Sequence, residues 1–312
     1  MRIVVTGGAG FVGANLVRVL LDRDHEVVVV DDLSTGSKEN LEGLEPITFY
    51  EGTILERALL DQVFAGVDAI VHLAAVPSVP RSVADPVTSH DANATGTLQV
   101  LEAARRSGAH VVMSSSSSVY GANPALPKTE DLRPQPMSPY AVSKLAAESY
   151  ALSHQHVYDL PVLVFRFFNV FGPLQPAGHS YAAAIPAFLD AALRRQPLPV
   201  FGDGLQTRDF TYVGSVARVL AEAVERRITW AEPVNLAFGS RRSLLDVITE
   251  IGRQLDQPVE IDHRPERPGD VRHSQADGSR LRALFPDVEP VAFSDGLAET
   301  IAWFRSVPDY GG

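Results

Sequence analysis

A glycine-rich turn near the start of the chain constrains its fold most strongly. Gly7-Gly8-Ala9-Gly10-Phe11-Val12-Gly13 follows an apolar, β-branched run at 2–6 and opens an amphipathic segment that extends to Arg23. Glycines permit a tight turn and let backbone N–H groups approach a pyrophosphate at the positive end of a helix. A glycine pattern alone is a weak signal, but its strand-turn-helix context makes this one strong.

Asp31 closes the next β-branched run, at 26–31. A carboxylate at this place accepts hydrogen bonds from the ribose hydroxyls of an adenosine and repels a 2′-phosphate. The pattern therefore predicts a dinucleotide site and favours NAD over NADP as the cofactor. The alternative, a solvated carboxylate at the end of a strand, is disfavoured by the glycine motif in front of it.

Strand and helix patterns alternate along the first half of the chain. Strand-like runs lie at 69–73, 109–114 and 161–167, and helical patterns lie at 55–64, 89–107 and 139–158. This alternation predicts an α/β fold with a doubly wound parallel sheet. After Asn169 the chain becomes rich in Gly/Pro loops and returns briefly to helix at 213–226, which predicts a smaller second domain that the chain enters more than once.

A length of 312 residues fits one large domain or two interleaved ones. We expect a nucleotide-binding domain at 1–168, 210–238 and about 275–285. The smaller, substrate-binding domain is expected at 169–209, 239–274 and about 286–312.

Charge and composition exclude several classes of protein. With 27 Lys+Arg against 38 Asp+Glu the net charge is −11, and no basic run is dense enough for nucleic acid. The absence of cysteine excludes disulfides and thiolate chemistry, and the nine histidines show no metal-ligand spacing. Neither a signal-peptide pattern nor an apolar stretch of about 18 residues is present. We expect a soluble cytoplasmic protein with no bound metal and no membrane partner.

Tyr140 and Lys144 stand four residues apart in S-P-Y-A-V-S-K-L-A-A-E, and a serine run lies at 114–118. On a helix the two side chains share one face. A neighbouring ammonium favours the phenolate, so Tyr140 is a candidate proton shuttle. For Y-x-x-x-K alone, an ordinary amphipathic helix is the better interpretation, and the other motifs decide against it.

The chain resembles the extended short-chain dehydrogenase/reductases, specifically the NAD-dependent epimerase/dehydratase family, which acts on nucleotide sugars. The matching motifs are G-G-A-G-F-V-G at 7–13, D-D-L-S-T-G at 31–36, H-L-A-A at 72–75, S-S-S-V-Y-G at 116–121, Y-x-x-x-K at 140–144, R-F-F-N-V-F-G-P at 166–173, G-D-G-L-Q-T-R-D-F at 202–210 and R-P-G-D at 267–270. The resemblance covers essentially the whole chain. It implies a Rossmann sheet, a bound NAD, a UDP-sugar substrate and a homodimer formed through the helices at 89–107 and 139–158.

The resemblance also assigns roles in catalysis and cofactor binding. Ser116, Tyr140 and Lys144 match the catalytic residues. The resemblance implies that Tyr140 removes the proton from a sugar hydroxyl, and that Lys144 holds the nicotinamide ribose and, together with the positive ring of NAD, lowers the pKa of the tyrosine. The residues expected at the cofactor, besides Tyr140 and Lys144, are Gly7, Gly10, Phe11, Val12, Asp31, Asp32, Ser34, Thr35, Gly36, Thr53, Ile54, Leu73, Ala74, Ala75 and Asn93. Thr53 departs from the family, which commonly has an aspartate there that contacts the adenine amine. Asn93 either steadies the local backbone or is a satisfied polar residue in a helix bend.

A second set of residues matches the family's contacts to the substrate. It comprises Arg81, Ser116, Ser117, Ser118, Asn169, Tyr181, Ala182, Phe201, Gln206, Arg208, Arg267 and Asp270. Asn169, Arg208 and Arg267 match the groups that hold the diphosphate, a task suited to forked guanidinium donors. Asp270 matches the partner of the nucleoside ribose, and Phe201 either stacks on uracil or belongs to the core.

The neighbours of Ser116 predict the fate of the sugar once it has been oxidised. Related 4,6-dehydratases carry Asp and Glu where this chain has Ser117 and Ser118, and two serines offer neither the acid nor the base that water elimination needs. A UDP-sugar 4-epimerase is therefore favoured over a 4,6- or 5,6-dehydratase, and a non-catalytic NAD-binding module is the third alternative. Asn169, where relatives that use UDP-glucuronate have Thr, indicates a neutral sugar. The stretches 77–82 and 181–186 most resemble the branch that also accepts N-acetylhexosamines.

Overall fold

The computed structural model describes residues 1–177, 183–266 and 272–307. Its strands are β1 (Arg2–Thr6), β2 (Glu26–Asp31), β3 (Ile47–Glu51), β4 (Ala69–His72), β5 (His110–Ser116), β6 (Val162–Phe167), β7 (Val170–Phe171), β8 (Leu198–Phe201), β9 (Thr207–Asp209), β10 (Thr211–Tyr212), β11 (Val234–Leu236), β12 (Arg241–Ser243) and β13 (Ile261–Arg264). Its helices are α1 (Phe11–Leu21), α2 (Arg57–Val63), α3 (Val79–Ala84), α4 (Pro86–His90), α5 (Gly96–Ser107), α6 (Pro139–Tyr158), α7 (Ala184–Leu193), α8 (Val213–Glu225), α9 (Leu244–Leu255), α10 (Ser279–Leu284) and α11 (Phe293–Ser306).

A seven-stranded parallel sheet, in the order β11-β6-β5-β4-β1-β2-β3, organises the larger part of the described chain. Its central strands are runs of valine and isoleucine buried on both faces, as expected for a parallel sheet covered by helices. The strand order reverses between β1 and β4. In doubly wound sheets a ligand binds at this reversal, beyond the carboxyl ends of the strands.

Helices cover both faces of the sheet. On one face α1, α8 and α10 bury Leu16, Leu220 and Leu281 against the strands. On the other face α2 and α5 bury Leu60 and Val100, and α6 buries Ala147 and Ala151 beside them. The prediction of a doubly wound α/β fold is confirmed.

A further hydrophobic cluster lies away from the sheet. It joins α7, α9 and α11 through Phe188, Ile251 and Phe304, together with apolar residues of β8 and β10. This cluster gives the second half of the chain a core of its own. The helix expected at 213–226 is confirmed as α8, and α7, α9 and α11 are further helices that were not predicted.

Helix α6 begins and ends at the predicted residues. Ser138 caps it by accepting a hydrogen bond from the Ala141 N–H at 3.2 Å, and Pro139 occupies the first turn. The helical pattern expected at 89–107 is confirmed: α4, a π-helical turn at Asp91–Thr95 and α5 follow one another without a break and end at Ser107. The π-helical turn itself was not predicted. Within the described ranges, no helix is both long and apolar enough to span a membrane.

Candidate active site

The glycine turn after β1 packs directly against backbone. A Cβ on Gly7, where φ is +71°, would lie 2.6 Å from the Ala74 nitrogen after β4, and a Cβ on Gly13 would lie 2.1 Å from the Gly7 carbonyl oxygen. Because Gly10 precedes α1 without a side-chain cap, the first N–H groups of the helix, at Phe11 and Val12, have no intrahelical partner and no capping side chain. The turn thus forms a cradle for an anion at the strand reversal.

Asp31, at the end of β2, is bound to this turn. Its carboxylate accepts hydrogen bonds from the N–H groups of Ala9 and Leu33, both at 2.9 Å. Burial raises the pKa of Asp31, the two backbone N–H groups lower it, and the nearby Asp32 raises it further. Each oxygen keeps a lone pair that can accept a ribose hydroxyl.

The loop after β2 folds over the glycine turn. A Cβ on Gly36 would lie 2.8 Å from the Ala9 carbonyl carbon, so the two backbones are in contact. The Asp32 carboxylate caps the loop by accepting from the N–H of Ser34 at 3.0 Å and from its hydroxyl at 2.5 Å. Thr35 lies in the same loop.

Asn40 was not predicted from the sequence and holds the same turn from the other side. Its Nδ2 donates to the Ala9 carbonyl at 2.8 Å, and the Ser37 N–H donates to the same carbonyl at 3.1 Å. Asparagine in a polar stretch carries no periodic signal, so only the D-D-L-S-T-G motif nearby pointed to this region.

The remaining predicted cofactor residues lie at the ends of β3 and β4. Leu73, Ala74 and Ala75 come directly after β4, and the Leu73 N–H donates to the Thr6 carbonyl at 3.0 Å. The Thr53 hydroxyl accepts from the Leu55 N–H at 3.3 Å. Ile54 is buried and its side chain fills the space above Gly96, where a Cβ would meet it at 2.5 Å.

Asn93 lies in the π-helical turn and joins two elements of the site. Its Oδ1 accepts from the Val76 N–H at 2.7 Å, and its Nδ2 donates to the Ser143 hydroxyl of α6 at 3.0 Å. Ser143 in turn donates to the Tyr140 carbonyl at 2.8 Å. Asn93 therefore ties the segment after β4 to the helix that carries Tyr140.

Tyr140 and Ser116 meet at the carboxyl end of β5. Burial raises the pKa of the Tyr140 phenol, while a hydrogen bond from the Ser116 hydroxyl lowers it. The Ser118 hydroxyl donates to the Ser116 oxygen at 2.8 Å, and the Ser118 N–H donates to it at 3.2 Å. Ser116 thus accepts two bonds and keeps its own hydroxyl proton available to donate. Ser117, between Ser116 and Ser118 in the chain, is half-buried.

Lys144 lies one turn after Tyr140 and is only 4% exposed. Burial lowers the pKa of its ammonium to about 8, and the charge of Glu148 raises it. In the protein alone, desolvation dominates and raises the pKa of the Tyr140 phenol. A reactive phenolate therefore needs a further positive charge at the site. The lowering of that pKa by Lys144 together with the positive nicotinamide ring stays a prediction.

His72, in the H-L-A-A motif, is buried beneath this cluster. It shares hydrogen bonds with the Thr6 hydroxyl at 2.7 Å and the Thr97 hydroxyl at 2.9 Å. Burial first, and then the charge of Lys144, lower the pKa of His72 to about 3. The ring is therefore neutral, and its two hydrogen bonds link β1, through Thr6, to α5, through Thr97.

We call the space beyond the carboxyl ends of the sheet strands the crevice, with the elements of Ser116 and Tyr140 as one side and the segments after β6, which carry Asn169 and Arg208, as the other. The Asn169 backbone has φ +25°, and its side-chain amide donates to the Asp209 carbonyl at 3.3 Å. The half-buried Arg208, on β9, donates through Nη1 to the carbonyls of Thr207 and Arg272 at 3.0 and 3.2 Å. Asp209, the residue after Arg208, is buried and accepts from the Ala276 N–H at 3.0 Å.

Three further predicted substrate residues differ in exposure. Gln206 is buried, and its amide donates to the Phe201 carbonyl at 2.6 Å. The Phe201 ring is half-buried with the Arg264 guanidinium 5.8 Å from its centroid. Arg81 is exposed on α3, where its N–H donates to the Ser78 cap.

Four predicted substrate residues, Tyr181, Ala182, Arg267 and Asp270, lie outside the described residues. One cation of the described residues was not predicted at this site: Arg241, on β12, donates to the Thr207 hydroxyl at 2.8 Å. The short strand β12 pairs with β9, and no sequence pattern predicted this pairing. Among residues 1–177, 183–266 and 272–307, no group of three or more His, Asp or Glu side chains could hold a metal.

Comparison with known proteins agrees with this geometry. The chain is 37% identical to the UDP-glucose 4-epimerase of Mycolicibacterium smegmatis over 98% of this chain and 99% of that one. The structure of a UDP-N-acetylglucosamine 4-epimerase from Methanobrevibacter ruminantium, in complex with UDP-N-acetylmuramic acid, superimposes with a TM-score of 0.93 at 36% identity, covering 98% of each chain. The Thermus thermophilus UDP-glucose 4-epimerase, in complex with NAD, gives a TM-score of 0.89 at 32% identity, covering 98% of this chain and all of the other.

A family model matches residues 3–237, which include the glycine turn, the serine run, Tyr140 and Lys144. The matched span is three quarters of the chain and carries every element of the central sheet. The chain therefore belongs to the NAD dependent epimerase/dehydratase family.

Proposed function

We propose that this protein is an NAD-dependent UDP-sugar 4-epimerase of carbohydrate metabolism, which interconverts UDP-glucose and UDP-galactose or their N-acetylhexosamine forms. One arrangement carries the proposal: Ser116 lies close enough to Tyr140 to influence the pKa of its phenol, a buried Lys144 follows Tyr140 by one helical turn, and the two positions after Ser116 are serines rather than carboxylates. The similarity to two epimerases acting on these classes of UDP-sugar supports the same conclusion.

The residues present fit NAD as the cofactor. The cradle at Gly7 and Gly13 has no room for a Cβ, the start of α1 is uncapped, and Asp31 retains acceptor capacity beside it. Phe11, Val12 and Asp31 would hold the pyrophosphate and adenosine ribose, and Tyr140 and Lys144 the nicotinamide ribose. NAD, when bound, accepts a hydride from C4 of the sugar and returns it, and its positive ring supplies the charge that the Tyr140 phenol lacks.

The chain's own residues then move one proton in each direction. The Tyr140 oxygen takes the proton of the C4 hydroxyl as that carbon loses its hydride, and Ser116 donates a hydrogen bond to the sugar oxygen. The product is a 4-keto sugar. After the sugar turns over, the carbon regains the hydride on its opposite face, and Tyr140 returns the proton to the oxygen.

Asn169 and Arg208 are proposed to hold the diphosphate while the sugar turns. Arg267 and Asp270 are proposed to complete this contact at the diphosphate and the ribose, and Phe201 to face the uracil. Arg81, Tyr181 and Ala182 would line the sugar. Asn169 in place of Thr supports a neutral sugar rather than a uronate.

The two-domain division expected from the sequence is also proposed. The nucleotide-binding domain comprises 1–168, 210–238 and about 275–285, and the remainder of the chain binds the nucleotide sugar. The separate apolar cluster of α7, α9 and α11 supports this division. Because both NAD and UDP-sugars are cytoplasmic metabolites, we place the protein in the cytoplasm.

A homodimer through 89–107 and 139–158 is proposed from the exposed apolar side chains of α6. Val142, Tyr150 and Val157 are 51%, 42% and 60% exposed. A second copy would cover them, together with the groove between α5 and α6 that Gln99 and Ser153 help to line. Light scattering is expected to give twice the chain mass of 33.7 kDa.

The reaction is tested by incubating the protein with UDP-glucose, UDP-galactose and their N-acetyl forms and separating the products. We expect each accepted sugar to reach the same equilibrium mixture from either C4 epimer, with no change of mass, and UDP-glucuronate to remain unchanged. A product lighter by one water would identify a dehydratase. If protein that binds NAD converts none of these sugars, the remaining interpretation is a non-catalytic NAD-binding module.

A further inference from the structure

A buried carboxylate lies behind the catalytic helix. Glu148 comes one turn after Lys144 on α6 and is 3% exposed. Its Oε2 accepts from the Ser115 hydroxyl at 2.7 Å and from Arg166 Nε at 3.0 Å, and its Oε1 accepts from Arg166 Nη2 at 2.6 Å. The forked pairing satisfies both oxygens of the carboxylate.

The partners of Glu148 are themselves neighbours in the sheet. Ser115 on β5 and Arg166 on β6 stand opposite each other in the strand register, and Ser115 directly precedes Ser116. Tyr140, Lys144 and Glu148 recur every four residues and therefore share one face of α6. Glu148 thus links α6, which carries Tyr140, to β5, which carries Ser116.

We propose that Glu148 is a positioning residue, which sets the spacing between Ser116 and the Tyr140 helix and keeps a negative charge one turn from the Lys144 ammonium. This inference rests on the proposed function, because it assigns Lys144 to the nicotinamide ribose. It differs from a purely structural role in predicting how the charge of Lys144 depends on pH.

The groups that face Lys144 come from three elements. His72 on β4 is neutral, with a pKa near 3; Tyr140 and Glu148 lie on α6, and Arg166 lies on β6 behind Glu148. Burial lowers the pKa of Lys144 to about 8, and the charge of Glu148 opposes that shift. Without the carboxylate, the ammonium loses its proton at a lower pH.

The test measures the affinity of the full chain for NAD against pH by calorimetry. In the wild-type protein we expect the affinity to fall as pH rises through about 8. In Glu148→Gln the midpoint should move to lower pH by about one unit. Lys144→Met should abolish the midpoint, which shows that it reports this lysine.

Arg166→Lys is the matched control, because it breaks the forked pairing but keeps both charges. It should lower the melting temperature without moving the midpoint. If Glu148→Gln lowers the melting temperature and leaves the midpoint at the wild-type pH, Glu148 is only structural and the inference is wrong. Should Glu148→Gln not fold, the neutral pair Glu148→Gln with Arg166→Gln is measured instead, and a wild-type midpoint in that protein would equally overturn it. Failure of the proposed function shows separately, as absence of epimerisation by protein whose NAD binding follows this pattern.

Discussion

Two buried carboxylates, one on each side of the crevice, are stabilised in opposite ways. Glu148, on the side of Tyr140, is paired with Arg166 and bonded to Ser115. Asp209, on the side of Asn169 and Arg208, has no cationic partner at hydrogen-bond distance among the described residues; its Oδ2 accepts from a backbone N–H and its Oδ1 has no hydrogen-bond partner there.

The difference follows from the elements that carry the two sides. On one side, a helix of 20 residues packs on a seven-stranded sheet, so side chains from three elements meet at fixed distances. On the other side, Arg208 lies on the three-residue strand β9 and Asn169 directly precedes the two-residue strand β7, and both side chains donate to backbone carbonyls. The redox side is preorganised by side-chain pairs, as a proton and hydride transfer requires. The substrate side is shaped by the course of the backbone.

The largest effect is expected from Tyr140→Phe, which removes the proton acceptor from the preorganised side. We expect kcat to fall by about 10³-fold or more, because positioned acid–base groups contribute 10² to 10⁴. The affinity for NAD should fall far less than kcat, since Tyr140 supplies one contact to the nicotinamide ribose and the glycine cradle is untouched. Progress curves from UDP-galactose and calorimetry with NAD measure the two quantities. Turnover within tenfold of wild type would remove Tyr140 from the reaction.

Gly13→Ala tests whether the cradle beneath the redox side is as rigid as its contacts indicate. Alanine normally favours a helix over glycine by up to about 1 kcal/mol. Here the new Cβ would lie 2.1 Å from the Gly7 carbonyl oxygen, so the backbone must move. We expect a loss of about 2 kcal/mol in the free energy of unfolding and weakened NAD binding. Gly10→Ala, with a contact of 3.2 Å to the same oxygen, is the milder matched variant.

The elements with strong local signals were predicted from the sequence. Helix α6 was located by its proline, its helical spacing and the serine in front of it, and the glycine turn by its strand-turn-helix context. Strands β3 and β11 were missed because Thr48 and Asn235 interrupt short apolar runs. The π-helical turn at Asp91–Thr95 was also missed, because it depends on Asn93 binding Val76 and Ser143 rather than on a local pattern.

The same limit applies to the site: residues linked by a local spacing were predicted, and contacts that depend on the tertiary fold were not. Tyr140 and Lys144 are four residues apart, and that spacing is visible in the sequence. The partners of Glu148 lie 33 residues before it and 18 after it, and they meet only through the register of β5 and β6. Within the serine run, nothing in the sequence distinguishes Ser115 as the residue that bonds to Glu148. The pairing of β9 with β12, which brings Arg241 to Thr207, was not predicted, because it too depends on strand pairing between distant parts of the chain.

Arg208→Ala is expected to act on the substrate side alone. The loss of charged hydrogen bonds to a diphosphate, worth about 1.5 to 3 kcal/mol, should raise KM by roughly tenfold to a hundredfold. The value of kcat should fall much less than in Tyr140→Phe, and the affinity for NAD should stay at the wild-type value. Steady-state kinetics with UDP-galactose separate these quantities. A fall in kcat with unchanged KM would show that Arg208 belongs to the redox side.

The smallest effect concerns Asp209, the carboxylate without a cation. Burial raises its pKa from 3.8 to about 6, against the lowering effect of the backbone N–H groups of Ala276, Ser240 and Gly239. The folded chain therefore binds more protons here than the unfolded chain between these two values. Stability from this group is fully present below pH 3.8 and is lost as pH rises through 6.

Urea unfolding at pH 7 and pH 5 measures this contribution, with Asp209→Asn as the matched variant. Between the two pH values the wild-type protein should gain about 1 kcal/mol relative to the variant, because only the wild type takes up the proton at this site. Other titrating groups are common to both proteins and cancel in the difference. A difference that is independent of pH would mean that Asp209 is stabilised as an anion as fully as Glu148 is, and the contrast between the two sides of the crevice would disappear.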